Sequence, residues 1–230
     1  MITIGFATIG ESPRDDVVPA ILKQLRPNTR AVERGCLDGL QLDEIEGLAP
    51  ESDEAGIITL LRSGASVLLA HKKILPRMQQ CVDQLMHDKG ADVVVILCGA
   101  DWSAIRSERM VINPGKLFPA VVSSLAHGKK LGIIKPSAGQ IEQETARYAS
   151  IGIDTMVTSA SPYAGDDRLA LARDAAQDLA DGGCDLIWMT CIGMDTRMRD
   201  AVAGVTQKPV ILAQSLIASI VSELTPGSGG

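Results

Sequence analysis

Two cysteines carry the chemistry this sequence is best equipped to do. Gly90-Ala91-Asp92-Val93-Val94-Val95-Ile96-Leu97-Cys98 lies without a gap on Gly183-Cys184-Asp185-Leu186-Ile187-Trp188-Met189-Thr190-Cys191. Each block starts at a glycine suited to a helix C-terminus, passes through Asp into an apolar strand, and ends on Cys. In open α/β sheets ligands bind beyond the carboxyl ends of the strands, where both cysteines are predicted to stand. Two opposed thiols can move a proton from one face of a carbon to the other, the thiolate as base and the thiol as acid. A strand end followed by a helix N-terminus favours the thiolate, because unpaired N–H groups and the helix dipole stabilise the anion. Gly99-Ala100-Asp101 and Ile192-Gly193-Met194-Asp195 read as such turns. Their small residues would let backbone N–H groups at 99–100 and 192–193 approach a substrate carboxylate or a developing enolate.

One cysteine ending an apolar strand is ordinarily a small core residue. Two at equivalent positions favour the functional reading. Cys184 starts a strand, Cys81 lies in a helix and Cys36 in an insertion, so these three read as structural. An odd number of cysteines without CxxC spacing indicates reduced thiols, which argues against a 98–191 disulfide. His71, His87 and His127 have no i/i+4 partner, so neither a metal site nor a Cys-His nucleophile is indicated. There is no GxGxxG and no GxxxxGK[ST], so no nucleotide cofactor is expected.

Thr8-Ile9-Gly10-Glu11-Ser12-Pro13-Arg14-Asp15-Asp16 follows the first strand and is predicted to open a helix. Ser12 suits the cap, Pro13 the first helical position, and the two aspartates the positive end. Arg14 runs against that dipole preference, so its guanidinium is a candidate to hold a substrate carboxylate, with Thr8 beside it. Ser159, Ser161 and Tyr163 can supply hydroxyls after a later strand, although Ser-Pro is also ordinary turn chemistry.

These residues need elements to place them. Short apolar runs at 2–8, 30–34, 66–70, 92–97, 131–135, 153–158, 185–190 and 209–213 are predicted strands, alternating with segments of helical period. Ile74, Leu75, Met78, Val82 and Leu85 share one helix face, as do Leu216, Ile217, Ile220, Val221 and Leu224. A weaker echo pairs Ile2–Thr8 with Leu131–Ser137. The expected fold is therefore α/β: two similar lobes with parallel sheets related by a pseudo-two-fold, and an active-site cleft between them. The N-terminal lobe would span 1–115 with an insertion at about 36–65, and the C-terminal lobe 116–208. The final strand and helix, 209–225, would pack back on the N-terminal lobe, and Pro226-Gly227-Ser228-Gly229-Gly230 would be a frayed tail.

Composition narrows the partners. A hydrophobic share of 46% over 230 residues builds a real core. A net charge of -6 and 3% aromatic residues give no footprint for nucleic acid. No apolar run reaches the roughly 20 residues of a membrane span, and Met1 leads directly into a strand, so a cytoplasmic location is expected. A homodimer is expected from the prevalence of symmetric pairs.

Thr8-Ile9-Gly10 through Pro13-Arg14, Pro50-Glu51, the Cys191-Ile192-Gly193 turn with Arg197 and Arg199, and Pro209-Val210 to Glu223-Leu224 together resemble the AroM family over nearly the whole chain. AroM-like proteins look like relatives of the aspartate/glutamate/hydantoin racemase superfamily. That resemblance implies two α/β lobes, one catalytic cysteine in each, and no cofactor; the superfamily also includes maleate isomerase and arylmalonate decarboxylase. By matching position Cys98 is the first-lobe cysteine and Cys191 the second. Gly99-Ala100 replaces the usual Asn-Thr after the first cysteine, and Ile192 replaces the Thr that typically follows the second.

The sequence thus points to an isomerase: a cofactor-independent racemase or epimerase of a small carboxylate compound, with Cys98 and Cys191 catalytic. Thr8, Arg14, Gly99, Ala100, Ser159, Ile192 and Gly193 would bind the substrate. Two rival readings remain at this stage. One is a decarboxylase or cis–trans isomerase that uses a single cysteine, and the other a ligand-binding or regulatory protein that has lost catalysis.

Overall fold

A computed structural model describes residues 1–25, 27–51, 54 and 56–225. The tail at 226–230 lies outside the described residues. The chain divides into two compact units, residues 1–117 with 217–230, and residues 118–216.

In the first unit β1 (Ile2–Thr8), β2 (Thr29–Gly35), β5 (Val93–Ile96) and β6 (Met110–Ile112) form a parallel sheet in the order β2-β1-β5-β6. Val93-Val94-Val95-Ile96 is buried at every residue, as an inner parallel strand covered on both faces must be. Two further strands, β3 (Gly56–Leu60) and β4 (Ser66–Ala70), make a separate antiparallel hairpin. Short helices α1 (Val18–Leu22) and α2 (Leu42–Glu46) occupy the connections. The long helix α3 (His71–His87) buries Ile74, Met78, Cys81, Val82, Leu85 and Met86. Those side chains join Ala7, Val94 and Ile96 in the core of this unit.

In the second unit β7 (Leu131–Lys135), β8 (Thr155–Ser159), β9 (Leu186–Met189) and β10 (Val210–Leu212) pair in parallel in the order β10-β9-β7-β8. Helices α5 (Ile141–Ala149), α6 (Arg168–Asp181) and α7 (Thr196–Thr206) connect them. Ala172, Ala176, Leu179, Ile187, Met198 and Val202 lie in its core. The boundary between the units falls inside α4 (Pro114–Leu125) and again inside α8 (Ala213–Leu224).

Each sheet therefore has the same strand order, β1 corresponding to β7 and β5 to β9. The correspondence reaches the packing. A Cβ on Gly5 would meet Ala91, Val94 and Leu85 at 3.0–3.2 Å, and one on Gly132 would meet Cys184, Ile187 and Leu179 at 2.8–3.1 Å. Both glycines let the helix before the inner strand lie close on the sheet. Cys184 thus stands where the first unit has Ala91, a place that requires a small buried side chain. Gly90 and Gly183, at φ 69° and 70°, end the preceding helices in the left-handed conformation that favours glycine.

All eight expected strands are present, and the expected two-lobed α/β architecture with parallel sheets holds. Four local expectations do not. The strand at 66–70 belongs to the β3–β4 hairpin, whose first strand was not anticipated. The strand expected at 209–213 pairs with β9 and so belongs to the second sheet; only the chain from Ile217 onward groups with the first unit. The first helix begins at Val18, not Pro13, and has no side-chain cap. In α8 the buried positions are Ala213, Gln214, Ile217, Ala218 and Val221, while Leu224 is exposed. Among the described residues no helix is long and apolar enough to cross a membrane.

Candidate active site

The first unit gathers Thr8, Cys36 and Cys98 at the carboxyl ends of β1, β2 and β5. Thr8 closes β1; its carbonyl accepts the Cys36 N–H at 2.9 Å, and its hydroxyl accepts from the Gly10 N–H at 3.3 Å. Ser12, expected as a helix cap, is held instead by Asp38, which accepts its N–H at 2.7 Å and its hydroxyl at 2.6 Å. That claim on Ser12, made from the end of β2, delays the helix to Val18. The Ser12 carbonyl accepts from Arg62.

Arg14 is 6% exposed and its guanidinium grips Asp16 through Nε at 2.7 Å and NH2 at 2.6 Å, while NH1 reaches the Thr8 hydroxyl at 3.2 Å. The bidentate pair expected with a substrate is thus made with the chain's own aspartate. The Arg14 backbone N–H donates to Glu33 at 2.7 Å, and burial pushes the Glu33 carboxyl up in spite of that hydrogen bond.

Cys98 is half-buried, two residues past β5, against the core of the first unit. Gly99-Ala100-Asp101 does not lead into a helix; the chain continues as a loop to β6. That loop is fixed by Asn113, which precedes α4. Its Oδ1 accepts the N–H of Trp102 at 3.2 Å and of Gly115 at 3.1 Å, and its Nδ2 donates to Asp101 at 3.2 Å. Gly115 is required here, since a Cβ would overlap the Ala100 carbonyl. Burial pushes the Asp101 carboxyl up, but hydrogen bonds from Ser103, Lys116 and Asn113 outweigh it and hold the group well below the usual carboxylate range. Trp102 is buried, its ring centroid 4.5 Å from that of half-buried His71.

In the second unit Cys191 occupies the same place, two residues past β9, and is also half-buried. Here the expected strand-to-helix turn is present: the Met194 N–H donates to the Cys191 carbonyl at 3.1 Å, and Asp195 caps α7 by accepting the Met198 N–H at 2.9 Å. Gln214 donates to the Ile192 carbonyl at 3.3 Å. Gly193 lies under Tyr163, whose hydroxyl would be 2.6 Å from a Cβ there. Ser159 ends β8, partly exposed, paired in register with Lys135. Ser161 accepts the Tyr163 N–H at 3.2 Å, the turn contact expected of Ser-Pro. Among the described residues no acceptor meets the backbone N–H of Gly99, Ala100, Ile192 or Gly193.

Cys36, Cys81 and Cys184 are buried, and all five cysteines are in the thiol form. The structural reading of those three is consistent with their core positions. Sequence reasoning missed Asp38, Asn113 and the Lys135–Glu144 ion pair at 3.3 Å, in which Lys135 ends β7 as Thr8 ends β1. Only Asn113, before a Pro-Gly helix start, carried a local signal. A surface depression of about 840 Å³ lined by His127, Lys129, Lys130 and Asp154 lies at the amino ends of β7 and β8, the other end of that sheet from Cys191.

The AroM protein family model matches residues 4–225. The chain belongs to the AroM family. No curated protein sequence matches this AroM-family chain significantly. Solved structures share its fold. Picrophilus torridus aspartate racemase superposes with a TM-score of 0.60 at 14% identity, over 97% of this chain and 94% of that one. Allantoin racemase from Pseudomonas fluorescens gives 0.58 at 16%, over 97% and 90%. Unliganded arylmalonate decarboxylase gives 0.58 at 15%, over 100% and 94%. The AroM chain thus has the fold of the Asp/Glu racemase superfamily.

Proposed function

We propose that this AroM-family protein is a cofactor-independent racemase or epimerase of a small carboxylate compound with an acidic α-hydrogen, Cys98 and Cys191 working as base and acid on opposite faces of one carbon. One observation carries the reading. Of five cysteines, the two that are not buried are the two that stand two residues beyond equivalent inner strands, β5 and β9. Packing explains the other three; it does not explain a matched, half-exposed pair.

Backbone N–H groups at 99–100 and 192–193 hold the substrate carboxylate and the developing enolate in this reading, since Gly99, Ala100, Ile192 and Gly193 have no side-chain donors. Thr8 and Ser159 add hydroxyls. Arg14 takes part only by exchanging the Asp16 carboxylate for that of the substrate.

The test is exchange of the α-proton in deuterium oxide across amino acids, hydroxy acids and hydantoins. Racemisation requires that Cys98→Ala and Cys191→Ala each lower turnover by roughly 100-fold or more, the usual worth of a general acid or base. The equally close fold match to arylmalonate decarboxylase supports a second reading, a decarboxylase with one catalytic thiol, in which one of the two variants keeps its turnover. Absence of exchange with every ligand that binds would refute the racemase reading, and absence of carbon dioxide release from malonate-type acids as well would refute both and favour a binding protein.

A further inference from the structure

The Arg14 side chain is 6% exposed, yet the carboxylate that fills its fork, Asp16, is 35% exposed. A buried guanidinium needs an anionic partner, and here that partner is within reach of solvent. The turn that carries the pair does not depend on Asp16. The Arg14 carbonyl accepts the N–H of Val17 at 3.0 Å and of Val18 at 2.9 Å, and the Arg14 N–H donates to Glu33 of β2 at 2.7 Å. Both backbone groups of Arg14 are thus held whichever way the Asp16 side chain turns.

The inner edge of the guanidinium is fixed as well. Its NH1 lies 3.2 Å from the Thr8 hydroxyl, whose oxygen also takes the Gly10 N–H at 3.3 Å. With both lone pairs engaged, that hydroxyl has its proton left to give, a donor beside the fork. Thr8 stands level with Leu97, whose N–H donates to the Ala7 carbonyl at 2.8 Å and which directly precedes Cys98. The fork therefore sits at the carboxyl end of the first sheet, where open α/β sheets bind their ligands. Asp15 and Asp16 both act on the Glu33 carboxyl, so the surroundings of Arg14 are already rich in negative charge. A further carboxylate cannot join Asp16 there; it must replace it.

We propose that Asp16 is an internal stand-in for a ligand carboxylate: it fills the Arg14 fork in the resting protein and turns to solvent when a small carboxylic acid takes its place. The inference rests on the substrate placement of the proposed function, but not on which reaction follows. Its consequence is competition within the chain. An aspartate two residues away is present at a high effective concentration, so it weakens every carboxylate ligand. A bare carboxylate loses to Asp16, and an acid with a second group held elsewhere in the site wins. The pair thereby selects for acids that carry such a group.

Acetate is the probe, with chloride at matched ionic strength and neutral acetamide as controls. Asp16→Asn keeps the size of the side chain but removes its charge, and a neutral acceptor holds a guanidinium less strongly than an ionised one. Isothermal titration calorimetry should find acetate bound to this variant at least about 10-fold more tightly than to the parent, with no such gain for chloride or acetamide. Adding Arg14→Met to Asp16→Asn should abolish the gain. A crystal of Asp16→Asn grown with acetate should hold acetate in the fork, with the side chain at position 16 turned to solvent. Equal acetate affinity in parent and variant, a gain that survives Arg14→Met, or a fork still filled by the side chain at position 16 overturns the inference and leaves the chemistry of the cysteines untouched. Failure of Asp16→Asn to fold also overturns it, since the pair is then a structural brace. Loss of α-proton exchange, by contrast, bears only on the proposed reaction.

Discussion

Asn113→Ala should loosen the loop that follows Cys98, and the structure sets the size of the effect. The substitution removes the acceptor for the Trp102 and Gly115 N–H groups and the donor to Asp101. Loss of a helix cap costs about 1 kcal/mol, within a range of about 0.5–2. Leaving the N–H of buried Trp102 without a partner adds about 1–3 kcal/mol. The total, about 2–4 kcal/mol, corresponds to a fall of roughly 4–16 °C in the transition that includes the first unit. Asn113→Asp separates the two parts. It keeps the acceptor and a good cap but sets a second carboxylate beside Asp101, a repulsion of about 1 kcal/mol near 4 Å in a water-like dielectric. In the parent protein the Asp101 carboxyl is held low, so its stabilisation is full above the unfolded carboxylate range and is lost only as pH falls below it. With Asn113→Asp in place the paired carboxylates bind a proton more readily when folded. The deficit of this variant should therefore be largest near pH 7 and shrink as pH falls towards about 4. Thermal and urea unfolding at both pH values measure this. A change below about 1 kcal/mol for the alanine variant, or a pH-independent deficit for the aspartate variant, would refute the bracing role.

Two glycines test the packing with opposite signs. Gly204 lies exposed within α7 with open space around its Cβ position, so Gly204→Ala should stabilise by about 0.5–1 kcal/mol and raise the melting temperature of the second unit. Gly132→Ala gains the same local preference but drives a methyl group against Ile187, Leu179 and Cys184 at 2.8–3.1 Å, and should destabilise by about 1–3 kcal/mol. Denaturant unfolding of both variants checks the pair; a stabilising Gly132→Ala would mean the helix before β9 does not lie close on the sheet.

What the sequence made legible was what depends on neighbours in the chain. The buried strands β1, β5, β7 and β9 are continuous apolar runs, and the glycines that end α3 and α6 mark them locally. The expectations that failed depend on partners far along the chain. Ser12 could not be denied its capping role until Asp38, a residue beyond the end of β2, was seen to claim it. Met110-Val111-Ile112 is too short to show a period and is a strand only because β5 offers an edge to pair with. Gly56–Leu60 lies in a stretch whose acidic and Gly-rich flanks read as loop; its antiparallel register with β4 makes it a strand. Arg14 looked available because the dipole argument counted only helix residues. Asp16, two positions on, fills its fork once the turn at 12–17 is non-helical.

The two sheets also show where the internal repeat stops, and this bears on the chemistry more than the resemblance itself. Strand order, the close-packing glycines, the helix-ending glycines and the half-exposed cysteines are shared. The polar groups around the cysteines are not. Thr8 ends β1 as a neutral hydroxyl held by Arg14, while Lys135 ends β7 as a half-buried cation paired with buried Glu144. Cys98 is followed by a braced loop and Cys191 by a capped helix. Cys98 and Cys191 thus end matched strands in unlike surroundings. The proposed acid/base roles call for such a difference, because one group must hold a proton while the other lacks it. Two thiols in identical surroundings would depend on the substrate alone to break the tie.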